Sequence, residues 1–226
     1  MNGRPPTGVG ATAGWRIAWV VMRTGWSIRV HDAHLVPAHG PVILAPNHTG
    51  FLDPPLLMGT SPRPIHCLAK REIFRGPLGL FLRSIGQIPI DRSGTDRTAL
   101  TAALAVLAAG RVLVVYPEGT RGSGDFADMR RGLAWLAVRS GAPVVPVVAS
   151  GVGSRGTTLS ALPPVRSRLD VVFGAPVDLP VVTVRSRAAV QEANLRLHTA
   201  LTAHYAAVAT QFGAGASAGR PDRQMP

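Results

Sequence analysis

Arg111-Val112-Leu113-Val114-Val115-Tyr116, running without a break into Pro117-Glu118-Gly119-Thr120-Arg121, is the stretch on which the fold turns. Its centre is apolar at every position and rich in valine. That is the pattern of a strand buried on both faces, not of one that alternates between core and solvent. The same pattern recurs on either side. Val42-Ile43-Leu44-Ala45 lies between Pro41 and Pro46. Residues 65–69, 144–149 and 169–173 read likewise, and residues 87–90 read as a strand near an edge, because Pro89 cannot donate to a ladder. The intervals are helical in composition: residues 96–109 with Gly110 as stop, residues 128–140 with Gly141 as stop, and a longer closing segment over residues 185–211. Alternating strands and helices predict an α/β fold with a mostly parallel central sheet covered by helices on both faces.

In such sheets ligands bind beyond the carboxyl ends of the strands. The polar residues fall there: a turn carrying His48 after residues 42–46, then Lys70-Arg71, Asp91-Arg92 and the turn from Glu118 to Arg121. If these strands run parallel, all four share one rim. The first turn reads Asn47-His48-Thr49-Gly50-Phe51-Leu52-Asp53-Pro54-Pro55. In a continuous helix, side chains five residues apart point about 140° from each other, so His48 and Asp53 meet only if the segment is a loop. Pro54 suits the first helical position, which makes Asp53 the expected N-cap and leaves His48 in the loop before it. A carboxylate holding an imidazole fixes its tautomer and equips it to take a proton from an alcohol. The alternative is a plain turn followed by a capped helix.

His48 with Asp53, Ala69-Lys70-Arg71-Glu72-Ile73-Phe74, Gly86-Gln87-Ile88-Pro89-Ile90-Asp91-Arg92 and Tyr116-Pro117-Glu118-Gly119-Thr120-Arg121 together resemble, in order and spacing, the blocks of the glycerolipid acyltransferase family. Its best-known members are the lysophosphatidate acyltransferases, and the resemblance spans residues 40–150. It implies transfer of a fatty acyl group from an acyl-CoA or acyl-carrier-protein thioester to the free hydroxyl of lysophosphatidate, giving phosphatidic acid. Another lysophospholipid, a glycolipid or a hydroxylated lipid would keep the same chemistry. The thioester is already activated, so the resemblance implies no metal, no cofactor and no covalent intermediate. It implies His48 as the base and Asp53 as its partner, with backbone amides near the turn and helix start as oxyanion donors. Arg121 then helps to bind the acceptor phosphate, Gly119 and Glu118 shape its turn, and Lys70 and Arg92 are further candidates. Arginine suits phosphate because its planar fork makes two parallel hydrogen bonds. Tyr116 stands where phenylalanine is usual, and Thr49-Gly50-Phe51 replaces more polar and aromatic neighbours of the base. His31, His34, His39, His66, His198 and His204 belong to no matched block.

The chain has 226 residues and a formal net charge of +12, carried by 23 arginines and one lysine. The excess favours anionic partners. No helix-turn-helix, zinc-finger or RNA-binding aromatic pattern accompanies it, so no nucleic-acid partner is expected; the distant alternative to an enzyme is a non-enzymatic module that binds anionic membranes or nucleic acid through its arginines. Cys67 is the single cysteine, which excludes an intramolecular disulfide. Residues 1–30 read as an amphipathic segment. Trp15, Ile17, Trp19, Val20, Met22 and Trp26 are interrupted by Arg16, Arg23 and Arg29, too charged to span a bilayer. Two readings are open: a helix lying in a membrane interface, or one packed on the domain. Residues 31–212 form the acyltransferase domain in this reading, and residues 213–226 a disordered tail. The expected location is peripheral or monotopic, on the cytoplasmic face of a membrane.

Overall fold

In the computed structural model, which describes residues 8–94, 96–119, 126, 129–152, 162–179 and 186–212, seven strands form a sheet in the order β1-β7-β6-β2-β5-β3-β4. The strands are β1 (Ser27–His31), β2 (Val42–Pro46), β3 (Ile65–Lys70), β4 (Ile88–Ile90), β5 (Val112–Val114), β6 (Val144–Ser150) and β7 (Arg168–Phe173). The helices are α1 (Gly8–Gly25), α2 (Asp53–Thr60), α3 (Gly76–Ser84), α4 (Arg97–Ala108), α5 (Gly132–Ser140) and α6 (Arg187–Phe212). β5 lies between β2 and β3, Val42 and Ile65 both facing Val112 in parallel register. β2, β3, β4, β5 and β6 all run parallel, so their carboxyl ends do share one rim. β7 pairs antiparallel with β6, and β1 pairs parallel with β7.

Alternation along the strands supplies both faces of the core. Val42, Leu44, Ile65, Val112, Val114 and Tyr116 pack with Met22 of α1 and with Leu52, Leu56 and Leu57 at α2. Ile43, Ala45, Leu113 and Val115 pack with α4, α5 and α6, through side chains such as Leu107, Leu133, Leu136 and Leu197. Fully burying one such leucine contributes about 1.5–3 kcal/mol, so the two layers clamp the sheet between them and leave its rim open. α4 begins where expected. Asp96 is its N-cap, with Oδ1 accepting from Ala99 N–H at 3.0 Å.

The N-terminal segment departs from expectation at its end. α1 stops at Gly25, and residues 27–30, read from the sequence with the helix, form with His31 an edge strand on β7. Ser-Ile-Arg-Val-His alternates apolar and polar residues, which suits a half-exposed strand, and Ser27 N–H and Arg166 N–H close the corner against Ser167 O and Gly25 O. α3 was not expected from the sequence. Thr120, Arg121, residues 127–128 and the tail at 213–226 lie outside the described residues.

Candidate active site

His48 follows β2, and Asp53 opens α2. Asn47 fixes the exit from the strand: its Nδ2 donates to Ala149 O at 3.1 Å and its Oδ1 accepts from Ala149 N–H at 2.8 Å. The side chain thereby continues the β2–β6 ladder at the point where the backbone turns away. Asp53 Oδ2 accepts three hydrogen bonds, from His48 Nδ1 at 3.0 Å, Thr49 N–H at 2.7 Å and Gly50 N–H at 2.8 Å. His48 is 7% exposed and Asp53 2%. At that depth each bond to a charged acceptor contributes roughly 1.5–3 kcal/mol. The carboxylate therefore organises the whole loop as well as the imidazole. Because Asp53 can only accept, Nδ1 carries the histidine proton and Nε2 carries the lone pair.

Two details differ from the sequence reading. Asp53 is not the N-cap: Leu52 holds that place without a side-chain bond, and Asp53 is the first helical residue, its carboxylate turned back to the loop. The tight turn leaves two amides, those of Thr49 and Gly50, that need an acceptor more than the helix does. Those amides are consequently engaged, and neither remains as an oxyanion donor without breaking the loop.

Tyr116, two residues past the end of β5, stacks on the base, with ring centroids 4.2 Å apart and planes at 36°. Burial pushes its phenol well above the ordinary value near 10, and the neighbouring Cys67 and Asp53 add to the effect, so the hydroxyl stays protonated. Among the described residues neither Tyr116 Oη nor Asp53 Oδ1 has a hydrogen-bond partner. Cys67 is buried too, its thiol pushed up to about 12 by burial, which makes it inert as a nucleophile.

A cavity of about 850 Å³ opens between β3, β4, α4, α5 and the first turn of α6, with Tyr116 and Gly119 among its lining residues. Leu68, Ile90, Leu100, Leu133, Leu136 and Val190 give it an apolar interior, and Arg92, Arg97, Arg130, Arg131 and Arg187 also line it. His48 does not line it, whereas Tyr116, whose ring lies against the imidazole, does. The volume falls in the range of about 300–1,000 Å³ usual for small-molecule sites.

The remaining expected residues divide. Arg92 Nη1 donates to Gly119 O, which brings the ends of β4 and β5 together. Gly119 has φ +70°, and a Cβ there would stand 2.9 Å from Arg130 Cδ and Nε, so only glycine lets Arg130 lie across the turn. Glu118 is buried, its Oε1 accepting from Phe126 N–H at 3.1 Å. Lys70 ends β3 and is exposed on the rim, whereas its neighbour Arg71 is bound to Asp96 at 2.7 Å. Backbone amides of Asp91 and Ala99, with Arg71, hold the Asp96 carboxyl below the usual range. Arg121 lies outside the described residues. Arg130 and Arg131 were missed by the sequence reading. The only signal was a basic pair just ahead of a helix, and nothing in that spacing sets Arg130 against Gly119. Among the described residues no three His, Cys, Asp or Glu side chains converge as a metal group.

The Acyltransferase family profile matches residues 27–150, from the start of β1 to the end of β6. The chain belongs to this acyltransferase family. The acyltransferase is similar to the 1-acyl-sn-glycerol-3-phosphate acyltransferase of Bacillus subtilis (strain 168), with 30% identity over 160 residues, covering 70% of this chain and 77% of that protein. It also matches the human 1-acyl-sn-glycerol-3-phosphate acyltransferase beta, at 33% identity over 146 residues, 62% of this chain and 52% of the relative. Thus it spans about half the length of the human protein. In fold it resembles the crystal structure of the 1-acyl-sn-glycerophosphate acyltransferase PlsC from Thermotoga maritima, with a TM-score of 0.61, 22% identity, and coverage of 85% of this chain and 78% of that one.

Proposed function

We propose that this acyltransferase moves a fatty acyl group from a thioester of coenzyme A or acyl carrier protein to the free hydroxyl of lysophosphatidate, giving phosphatidic acid. The observation that carries the reading is the pinned imidazole, with Nδ1 engaged by Asp53 at 3.0 Å and Nε2 left as acceptor. The names of the Bacillus and human relatives point to the same acceptor. In the proposed step Nε2 takes the proton of the acceptor hydroxyl while its oxygen attacks the thioester carbonyl carbon. The carbonyl oxygen becomes an oxyanion. Its collapse forms the ester and breaks the C–S bond, and the departing thiolate takes the proton back from the imidazolium. Asp53 stabilises that imidazolium in between.

Arg92, Lys70 and Arg121, with Gly119 and Glu118 shaping the turn, supply the cationic rim for the acceptor phosphate, and Arg130 joins them. The apolar cavity beside Tyr116 suits a fatty acyl chain, because the side chains named above line it with hydrocarbon. None of these roles requires a metal or a cofactor. No described helix is long and apolar enough to cross a membrane. The lipid acceptor nonetheless places the enzyme at a membrane surface, and the donors place it on the cytoplasmic side, as a peripheral or monotopic protein.

The test measures thiol release from a long-chain acyl-coenzyme A with and without lysophosphatidate, with the lipid product identified by mass spectrometry. Acceptor-dependent release yielding phosphatidic acid is expected. His48→Ala should lower it by roughly 10²- to 10⁴-fold while keeping a cooperative melting transition, at a temperature lowered by the lost bond to Asp53. Full activity in that variant removes His48 as the base. Carrier-protein donors and a panel of other acceptors, run in parallel, decide donor and acceptor.

A further inference from the structure

α3, Gly76-Pro77-Leu78-Gly79-Leu80-Phe81-Leu82-Arg83-Ser84, has one buried residue, and that residue is a glycine. Leu78 is 56% exposed, Leu80 72% and Phe81 44%, with Ile73 just ahead of the helix at 43%. The orientation is built in. A Cβ on Gly79 would stand 2.2 Å from the carbonyl carbon of Phe74, so no larger side chain fits the inward position, and the large apolar residues are forced outward. A helix this short is marginal in water even with a good sequence. One that turns its leucines to solvent is arranged the wrong way round for water.

α1 repeats the arrangement beside it. Ala18 and Met22 are buried, whereas Val9, Ile17 and Val20 are about half exposed or more. At about 100° per residue these three fall within a sector of about 80° on the side away from Ala18 and Met22. Arg16 and Arg23 both lie along one edge of that sector, toward Trp19. The two helices meet where a Cβ on Gly14 would come 2.8 Å from Ile85 Cβ, at the end of α3. The charge around both helices has one sign. Neither contains an acidic residue; Arg16, Arg23, Arg75 and Arg83 belong to or border them, and Glu72 is the only acid between residues 65 and 90. An apolar surface edged by arginines complements an anionic lipid surface. α1 also packs on α2, whose first residue is Asp53, and Phe51 in the catalytic loop is 45% exposed. The apolar surface therefore lies one helix away from the base.

We infer that α3 and the outer face of α1 form a seat for an anionic phospholipid bilayer, with α3 lying among the headgroups and Leu78, Leu80 and Phe81 reaching the acyl chains. The inference rests on the lipid-acceptor reading for its purpose, but vesicle binding tests it without catalysis. The experiment compares flotation of the full chain with phosphatidylcholine vesicles and with phosphatidylcholine vesicles containing phosphatidylglycerol, for wild type and for a Leu78→Gln, Leu80→Gln, Phe81→Gln variant. Thermal melts, size-exclusion profiles and turnover of a short-chain lysophosphatidate below its micellar concentration accompany it. Wild type should float with the anionic vesicles, and the variant should bind them roughly a hundredfold more weakly, with unchanged melting and turnover of the dissolved acceptor within about twofold. Wild-type affinity in the variant overturns the seat, as does failure of wild type to bind anionic vesicles. Loss of turnover on the dissolved acceptor with vesicle binding intact makes α3 part of the acceptor site instead. A wild-type dimer that the variant converts to a monomer makes it a contact between copies. If wild type binds vesicles through α3 but transfers no acyl group to any acceptor, the seat stands and the proposed reaction fails.

Discussion

Asp53 shows how much one side chain can organise. A single oxygen holds the base and two loop amides, so loop geometry and tautomer depend on the same atom. Its other oxygen, Oδ1, has no partner among the described residues, and neither does the nearby phenol of Tyr116. A buried hydroxyl without a partner carries its desolvation cost uncompensated, about 1–3 kcal/mol. Tyr116→Phe removes that oxygen while keeping the ring against His48. It is expected to raise the unfolding free energy by about 1 kcal/mol in urea melts and to leave transfer within about threefold of wild type. A large loss of kcat would show instead that the hydroxyl takes part in positioning the Asp53–His48 pair. The sequence made His48 and Asp53 legible through Pro54 and the five-residue offset. It did not reveal that Thr49 and Gly50 amides are spent on the carboxylate, because that follows from the path of the turn.

Between elements, contacts are set by small residues as much as by large ones. α1 lies so close to α2 that a Cβ on Gly59 would come 2.8 Å from Ala18 O, a backbone atom with no freedom to move alone. Gly59→Ala should therefore cost about 1–3 kcal/mol of stability, read as a lower urea midpoint, and should disturb α1 before the sheet. Across the sheet, α4, α5 and α6 leave the cavity beside Tyr116. Val190, partly buried at the start of α6, lines it without belonging to the tightest packing. Val190→Trp is expected to fill part of the space. If the cavity takes the acyl chain, kcat/KM for long-chain donors should fall roughly tenfold relative to short-chain donors; an unchanged chain-length profile would move the chain elsewhere. The strands around this cavity were legible as continuous apolar runs, whereas α3 was not. Its exposed leucines follow a helical pattern with no core to face, and periodicity alone gives no reason to expect that.

For the molecule as a whole, two histidines outside the site tie stability to pH. Burial holds His66 below its ordinary value near 6.5, although its ring bonds the Gly86 carbonyl at 2.8 Å; burial does the same for His204 beside Val172 O. Because both are depressed in the folded chain, the unfolded chain binds more protons between the two values. Their stabilising contribution is complete above about pH 6.5 and is lost as pH falls through the folded values. The melting temperature should accordingly drop on acidification from about pH 7 to pH 5, and less steeply in His204→Gln; an equal slope in that variant would exclude His204 as a source. At this scale the division of information is plain. The sequence by itself determined the buried strands, the placing of polar residues at their carboxyl ends, and the His48–Asp53 pair, because each is written in local periodicity, turn chemistry and short spacing. Tertiary structure alone decided the order of the strands, the reversal of β7, and the pairing of β1, whose partner lies near the far end of the chain. It also brought Arg130 onto Gly119, opened the cavity beside Tyr116 and left α3 facing outward. Those features depend on which distant segments pair and pack, and a local pattern says which face of an element is apolar but not what will cover it.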